Sequence, residues 1–294
     1  VHPAGDRKEG AETKMTTPWQ QVAAYGGVPV LLHDSVQVFD PRAAGAVVVS
    51  GSHTGGPASL HGAAIGARAL IGNDAGGGKD GAGTAGLGEV ERYRVAAAAV
   101  AHDSARIGDG EDTYRHGVIS LVNRWAAESG VRPGQPAATG ARLLAGWDPG
   151  PDRELPDAGE AHRTIVYREQ PLRIVAVDSA SQIGPELVGA IVFTGSHGGA
   201  VGGVGVKAAV AAAFFNDAGV GKDSAGQSRL PIMDTLGIPG ATVSNDTARI
   251  GYGDETYRSG VLSAVNEAAV KAGLTVGMPA REAGDVLMLV LRDG

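Results

Sequence analysis

Of 294 residues, 47 are glycine and none is cysteine, which excludes a thiol nucleophile, a cysteine-ligated metal centre and a disulfide scaffold. Hydrophobic content of 43 % with 19 % charge is that of a globular chain, and 4 % aromatic content leaves Ala, Val, Leu and Ile to build the core. A net charge of −7 gives nucleic-acid phosphates little to hold, and no apolar run has the length of a membrane span, about 18 residues. A cytoplasmic protein without nucleic-acid or membrane partners is expected.

In chain order, 1–19 reads as a polar leader, expected to be disordered. An apolar stretch at 28–38 predicts a strand carrying Asp34-Ser35. A second strand is expected over 45–50, where β-branched residues stand between glycines, as in a buried parallel strand. The loop Gly51-Ser52-His53-Thr54-Gly55-Gly56 follows, then a small-residue helix over 57–70 and a strand beginning at 69–71. A helix is expected after Gly83 and a strand over 95–101. Val118, Leu121, Val122 and Trp125 at helical spacing predict one helix over 112–129, stopped at Gly130. The Pro, Gly and acid-rich segment 148–162 reads as an exposed connector. Strands at 164–168 and 174–183 follow, the latter carrying Asp178-Ser179.

The second half then repeats the first. Gly51-Ser52-His53 returns as Gly195-Ser196-His197, and Asn73-Asp74 with Lys79-Asp80 returns as Asn216-Asp217 with Lys222-Asp223. Asp103-Ser104-Ala105-Arg106 returns as Asp246-Thr247-Ala248-Arg249, and Asn123 as Asn266. The spacing is 143 residues, or 144 at the serines. Four blocks in one order define two tandem α/β repeats, 20–147 and 163–294, with mainly parallel sheets related by a pseudo-twofold axis. Each block falls at the carboxyl end of an expected strand, where parallel sheets bind ligands.

The recurring residues suggest a chemistry. Ser52 and Ser196 are candidate nucleophiles or donors, and His53 and His197 candidate bases or ligand contacts. Backbone N–H groups of Gly55, Gly56, Gly198 and Gly199, at a helix start, suit an oxyanion. Lys79 and Lys222 are two of only six lysines, and a lysine in a partly dry cleft can activate a serine. Asn73, Asp74, Asn216 and Asp217 are candidate substrate contacts. Arg106 and Arg249 suit either a substrate carboxylate or a structural fork between the repeats. His53, Asp74, Asp80, His102 and Asp103 offer nitrogen and oxygen ligands for a divalent ion, but no known ligand spacing is present, and no metal or cofactor is expected. The copies differ at His102/Asn245, Asp109/Tyr252 and His116/Ser259. These differences are either drift at tolerant loop positions or a division of labour, with proton transfer leaning on the His102–Asp103 segment and substrate binding on Lys222 and Arg249.

In construction the chain resembles the cyclic-amide hydrolases that open cyanuric or barbituric acid rings, in which each repeat supplies a serine and a lysine to one central site. That family has three repeats and this chain two. The resemblance implies Ser52/Lys79 and Ser196/Lys222 as the pairs. The expected function is hydrolysis of a C–N bond in a small anionic or cyclic-amide metabolite, by a homo-oligomer. The alternatives are a lyase or isomerase of a small carboxylic acid, and a non-catalytic anion-binding protein.

Overall fold

In the computed structural model, which describes residues 18–38, 40–157, 163–170 and 172–291, each half forms its own six-stranded sheet. The first half contains β1 (Gln20–Tyr25), β2 (Val28–His33), β3 (Val47–His53), α1 (Gly56–Ala64), β4 (Ala69–Asn73), α2 (Gly86–Glu89) and β5 (Ala96–Val100). It continues with α3 (Gly110–His116), β6 (Ile119–Val122), α4 (Arg124–Glu128) and α5 (Ala137–Leu144). The second contains β7 (Thr164–Arg168), β8 (Ile174–Val177), β9 (Ile191–His197), β10 (Ala212–Asn216), α6 (Arg229–Thr235) and β11 (Gly240–Val243). It ends with α7 (Gly253–Arg258), β12 (Leu262–Val265), α8 (Glu267–Lys271) and α9 (Ala280–Val290). Within each sheet the strands lie in chain order, four parallel strands flanked by one antiparallel strand on either edge.

The central strands are apolar throughout because helices or turns cover both faces of each sheet. Val47, Val49, Ala69, Ile71, Ala96 and Ala98 pack with α4 and α5, while Val48, Leu70, Ala97 and Ala99 pack with α1 and α2. The second half repeats this two-sided core with Phe193, Phe214 and Phe215 among its largest buried side chains.

Three local expectations need correction. The helix expected over 112–129 is α3, β6 and α4: the chain leaves the helix at Gly117, and β6 joins the sheet edge antiparallel to β5. Val118 and Leu121, which suggested a buried helical stripe, are 40 % and 46 % exposed. Strand β3 runs on through Ser52 and His53, with a register shift between Val49 and His53, so these residues lie on the strand and not beyond it. The recurrence also fails at α1. Its counterpart, 200–208, contains a Val201–Val204 bridge and turns but no helix. Glycines at 202, 203 and 205 alternating with valines are poor helix formers, whereas Pro57 opens α1 at a favourable first-turn position. Strand β1 and helices α5 and α9 were not anticipated.

Of the expected leader, all but Pro18 and Trp19 lies outside the described residues. Trp19 is buried and stacks on His33 with ring centroids 4.9 Å apart. The connector is described through 157. Pro149 is buried in it, and Arg153 donates to the Gly66 and Ala67 carbonyls, at 2.5 and 2.9 Å; Asp148, Pro151, Asp152, Glu154, Leu155 and Asp157 are exposed.

The halves meet through reciprocal contacts. Ala75, Ala82 and Ile107 form one apolar cluster with their counterparts Ala218, Ala225 and Ile250. Lys79 N donates to the Asn245 carbonyl at 2.7 Å, and Lys222 N to the His102 carbonyl at 2.8 Å. Each bond is the image of the other under the twofold relation. No helix among the described residues is long and apolar enough to cross a membrane.

Candidate functional site

The strand ends that carry Ser52-His53 and Ser196-His197 face one another, and a cavity of about 120 Å³ lies between the halves. Its wall includes both of these pairs, together with Ser35, Ser179, Lys207 and Arg229.

The same local construction sets the position of each serine. After β2 and β8, the side chains of Asp34 and Asp178 accept from the N–H groups of Gly110 and Gly253 at the starts of α3 and α7, at 3.0 and 3.1 Å. This fixes the following turn, whose Val36 N–H donates to Ser52 Oγ at 3.0 Å; the equivalent Ala180 N–H donates to Ser196 Oγ at 2.8 Å. Each hydroxyl oxygen is thus occupied as an acceptor, which directs its own proton to another partner.

The histidines are fixed even more tightly. Gly55 N–H donates to His53 Nδ1 at 3.0 Å, and Gly199 N–H donates to His197 Nδ1 at 3.1 Å. A nitrogen accepting an N–H bond carries no proton, so each neutral ring holds its proton on Nε2. Burial pushes the His53 pKa down to about 4. Burial, and then the Arg229 and His53 charges, hold His197 well below the ordinary histidine range. Near neutral pH both rings are therefore uncharged hydrogen-bond donors. The role of base expected for them fails on this geometry, because the lone pair a base would use is already engaged.

Arg229 opens α6 and is 7 % exposed. Its Nη1 donates to the carbonyls of Val204 and Gly205, at 3.4 and 2.7 Å, and its guanidinium lies over the Phe215 ring, 5.0 Å from the centroid. Its Nε has no hydrogen-bond partner, and no carboxylate pairs with it among the described residues. Burial lowers its pKa to about 10, which leaves it charged at neutral pH. Asp178, the carboxylate in the wall, is already taken by Arg163 Nε at 3.0 Å and by the Gly253 N–H. Lys207 is exposed at the rim, where loss of hydration and then the Arg229 charge lower its pKa.

Several expected site residues serve the scaffold instead. Lys79 Nζ meets Glu255 at 3.2 Å, and Lys222 Nζ meets both oxygens of Asp112 at 3.0 Å. Each lysine therefore crosses to the opposite half, and neither lines the cavity beside its own serine. Arg106 binds Asp109, Asp112 and, across the seam, Asp223 at 3.0, 3.1 and 3.2 Å, while Arg249 pairs with Glu255. Arg106 thus forms a fork across the seam, whereas the Arg249 pair lies within its own half. Asn73 and Asn216 are fully buried; their Nδ2 atoms donate to the Ala105 and Ala248 carbonyls at 2.9 Å. Asp74 accepts from Gly76 N and His102 N, and Asp217 from Gly219 N and Asn245 N, so both shape their own loops. His102 turns its Nδ1 toward Asp74 at 3.2 Å and lies in the seam, outside the cavity wall.

Three of the four loop N–H groups expected to hold an oxyanion are engaged within the protein. The N–H groups of Gly55 and Gly199 are engaged by histidine, and that of Gly198 by the Asn216 carbonyl at 2.8 Å. Gly56 begins α1.

Arg229, Lys207, Ser35 and Ser179 were not among the sequence candidates. The Asp-Ser recurrence at 34–35 and 178–179 was visible, and it signals the two turns that carry Ser35 and Ser179. The two cations have no counterpart in the other half. Gly86 N and Arg229 N donate to equivalent carbonyls, those of Thr54 and Gly198, so Arg229 stands where the first half has glycine. Lys207 belongs to the segment that replaces α1. Compared with family models, curated proteins and solved structures, the chain shows no significant match to any of them.

Proposed function

We propose that the chain binds a small anionic metabolite in the cavity between its two halves. The observation that carries this reading is Arg229, a buried guanidinium without a carboxylate partner, in a wall whose other polar groups are mainly donors. An uncompensated buried cation costs several kcal/mol, on the order of what breaking a buried ion pair costs. A bound anion offsets that cost, and the hydroxyls and imidazole Nε2–H groups supply neutral donors around it. Titration calorimetry with small carboxylates and inorganic phosphate tests the reading. Saturable binding by the parent and its loss in Arg229→Gln support it; equal binding by both proteins overturns it.

Hydrolysis is the second reading, favoured by a particular observation: Lys207, whose pKa is lowered, shares the cavity with Ser52 and Ser196. In this reading a serine Oγ adds to an amide carbonyl while Lys207 takes its proton and passes it to the departing nitrogen. Water then releases the acyl group and restores the serine. Lys207 would thus have the role expected from sequence for Lys79 and Lys222. Turnover of a small-amide panel by the parent, absent from Lys207→Met, is the expected result. Equal turnover in both removes Lys207 from the chemistry.

A further inference from the structure

The cavity is symmetric in its neutral donors and asymmetric in its charge. Ser52 and His53 come from the first half, and Ser196 and His197 present the same groups from the second. Both cations in the wall, Arg229 and Lys207, come from the second half alone, at positions where the first half has Gly86 and helix α1.

Resting on the reading of the cavity as an anion site, we infer that its ligand carries one carboxylate and, separately, one neutral acceptor such as an amide or ketone oxygen. It lies in a single orientation. The carboxylate faces Arg229, Lys207 and Ser196, and the neutral oxygen faces Ser52 and the His53 Nε2–H. The reasoning is one of charge matching. A carboxylate placed against the first half would lose its hydration and meet donors but no counter-charge, an unfavourable exchange. A methyl group there would leave the Ser52 and His53 donors dry and unpaired, which is also unfavourable. A neutral carbonyl oxygen satisfies these donors at no charge-burial cost. His53 stays a donor because the Gly55 N–H occupies its Nδ1, so the ring itself cannot turn to accept from a ligand.

Three ligands of equal chain length test this directly: butyrate, succinamate and succinate, which differ only at the end away from the shared carboxylate. Isothermal titration against the full chain should show succinamate bound about tenfold more tightly than either of the others, the scale of one well-made hydrogen bond. Ser52→Ala should bring the succinamate-to-butyrate ratio toward one, and Arg229→Gln should weaken all three. Equal affinities for the three, or succinate binding tightest, overturn the orientation while leaving the anion reading in place. Inorganic phosphate binding more tightly than succinamate overturns the carboxylate–carbonyl class and likewise spares the anion reading. No binding by any of the four overturns the anion reading itself.

Discussion

Gly76 and Gly219 oppose each other across the seam so closely that a Cβ built on either would lie 3.2 Å from the other's Cα. Both have positive φ, +68° and +72°, which L side chains rarely adopt. Gly76→Ala therefore combines backbone strain with crowding at the point where the halves touch. The expected cost is about 1–3 kcal/mol, read from urea unfolding midpoints. Gly219→Ala should cost a similar amount, and the double variant should depart from additivity because the two sites are in contact. Additive losses would show that the loops separate freely.

The crossed ion pairs predict stability without function. Burial alone would raise the Asp112 carboxyl; the Arg106 N–H, Lys222, His116 and the Arg106 charge outweigh it and hold the pKa below the ordinary range. Lys222→Met should cost about 1–3 kcal/mol at pH 7. Lys79→Met should cost less, because the Asp112 side chain is 1 % exposed and that of Glu255 15 %. A carboxylate with a lowered folded pKa contributes its stability above the unfolded value and loses it as pH falls through the folded one. The gap between Lys222→Met and the parent should therefore close in acid. Neither variant should alter anion affinity. A large loss of affinity in either would restore the lysines to the site.

Arg229 sets stability against binding. Replacing a buried, unpaired cation with an apolar side chain of similar length is often neutral or stabilising. Arg229→Met should leave the melting temperature of the ligand-free protein at or above that of the parent, while abolishing anion binding. A lowered melting temperature would instead assign Arg229 a structural role through its bonds to Val204 and Gly205.

His53 titrates at about 4 when folded, because burial disfavours its charged form, against about 6.5 when unfolded. The unfolded chain thus takes up more protons between these values. The contribution is complete above pH 6.5 and falls by about 3 kcal/mol as pH drops toward 4. Unfolding midpoints across pH 4.5–7.5 should fall less steeply in His53→Gln than in the parent. Parallel curves would place the ring in contact with water.

The two-half architecture was legible because recurrence and apolar strands are written directly in the residue order. The strand–turn–strand hairpin at β1 and the edge strand β6 were not, because short half-exposed strands lack a strong period. Of the recurring residues, Ser52-His53 and Ser196-His197 line the cavity, whereas Asn73, Asp74, Lys79 and Arg106 with their counterparts do not. Any residue needed to hold two equivalent halves together must also recur, so repetition alone does not separate a clasp from a ligand contact. Asn123 and Asn266 illustrate the scaffold role: each accepts from one strand N–H and one helix N–H while donating to two carbonyls. The cations of the cavity entered where repetition lapses, at Arg229 and Lys207. Position-by-position comparison of the copies would have drawn attention to them.

Each sheet is completed by strands of its own half, with no strand exchanged between them. The polypeptide link between the halves, described through 157, contributes no strand to either sheet. Cut there and co-expressed, the two fragments would keep their cores and meet through the crossed ion pairs, the shared apolar cluster of Ala75, Ala82, Ile107 and their counterparts, and the cavity wall. A ligand seated against both would then act as an adhesive, and its concentration would be read out as assembly of a two-part protein.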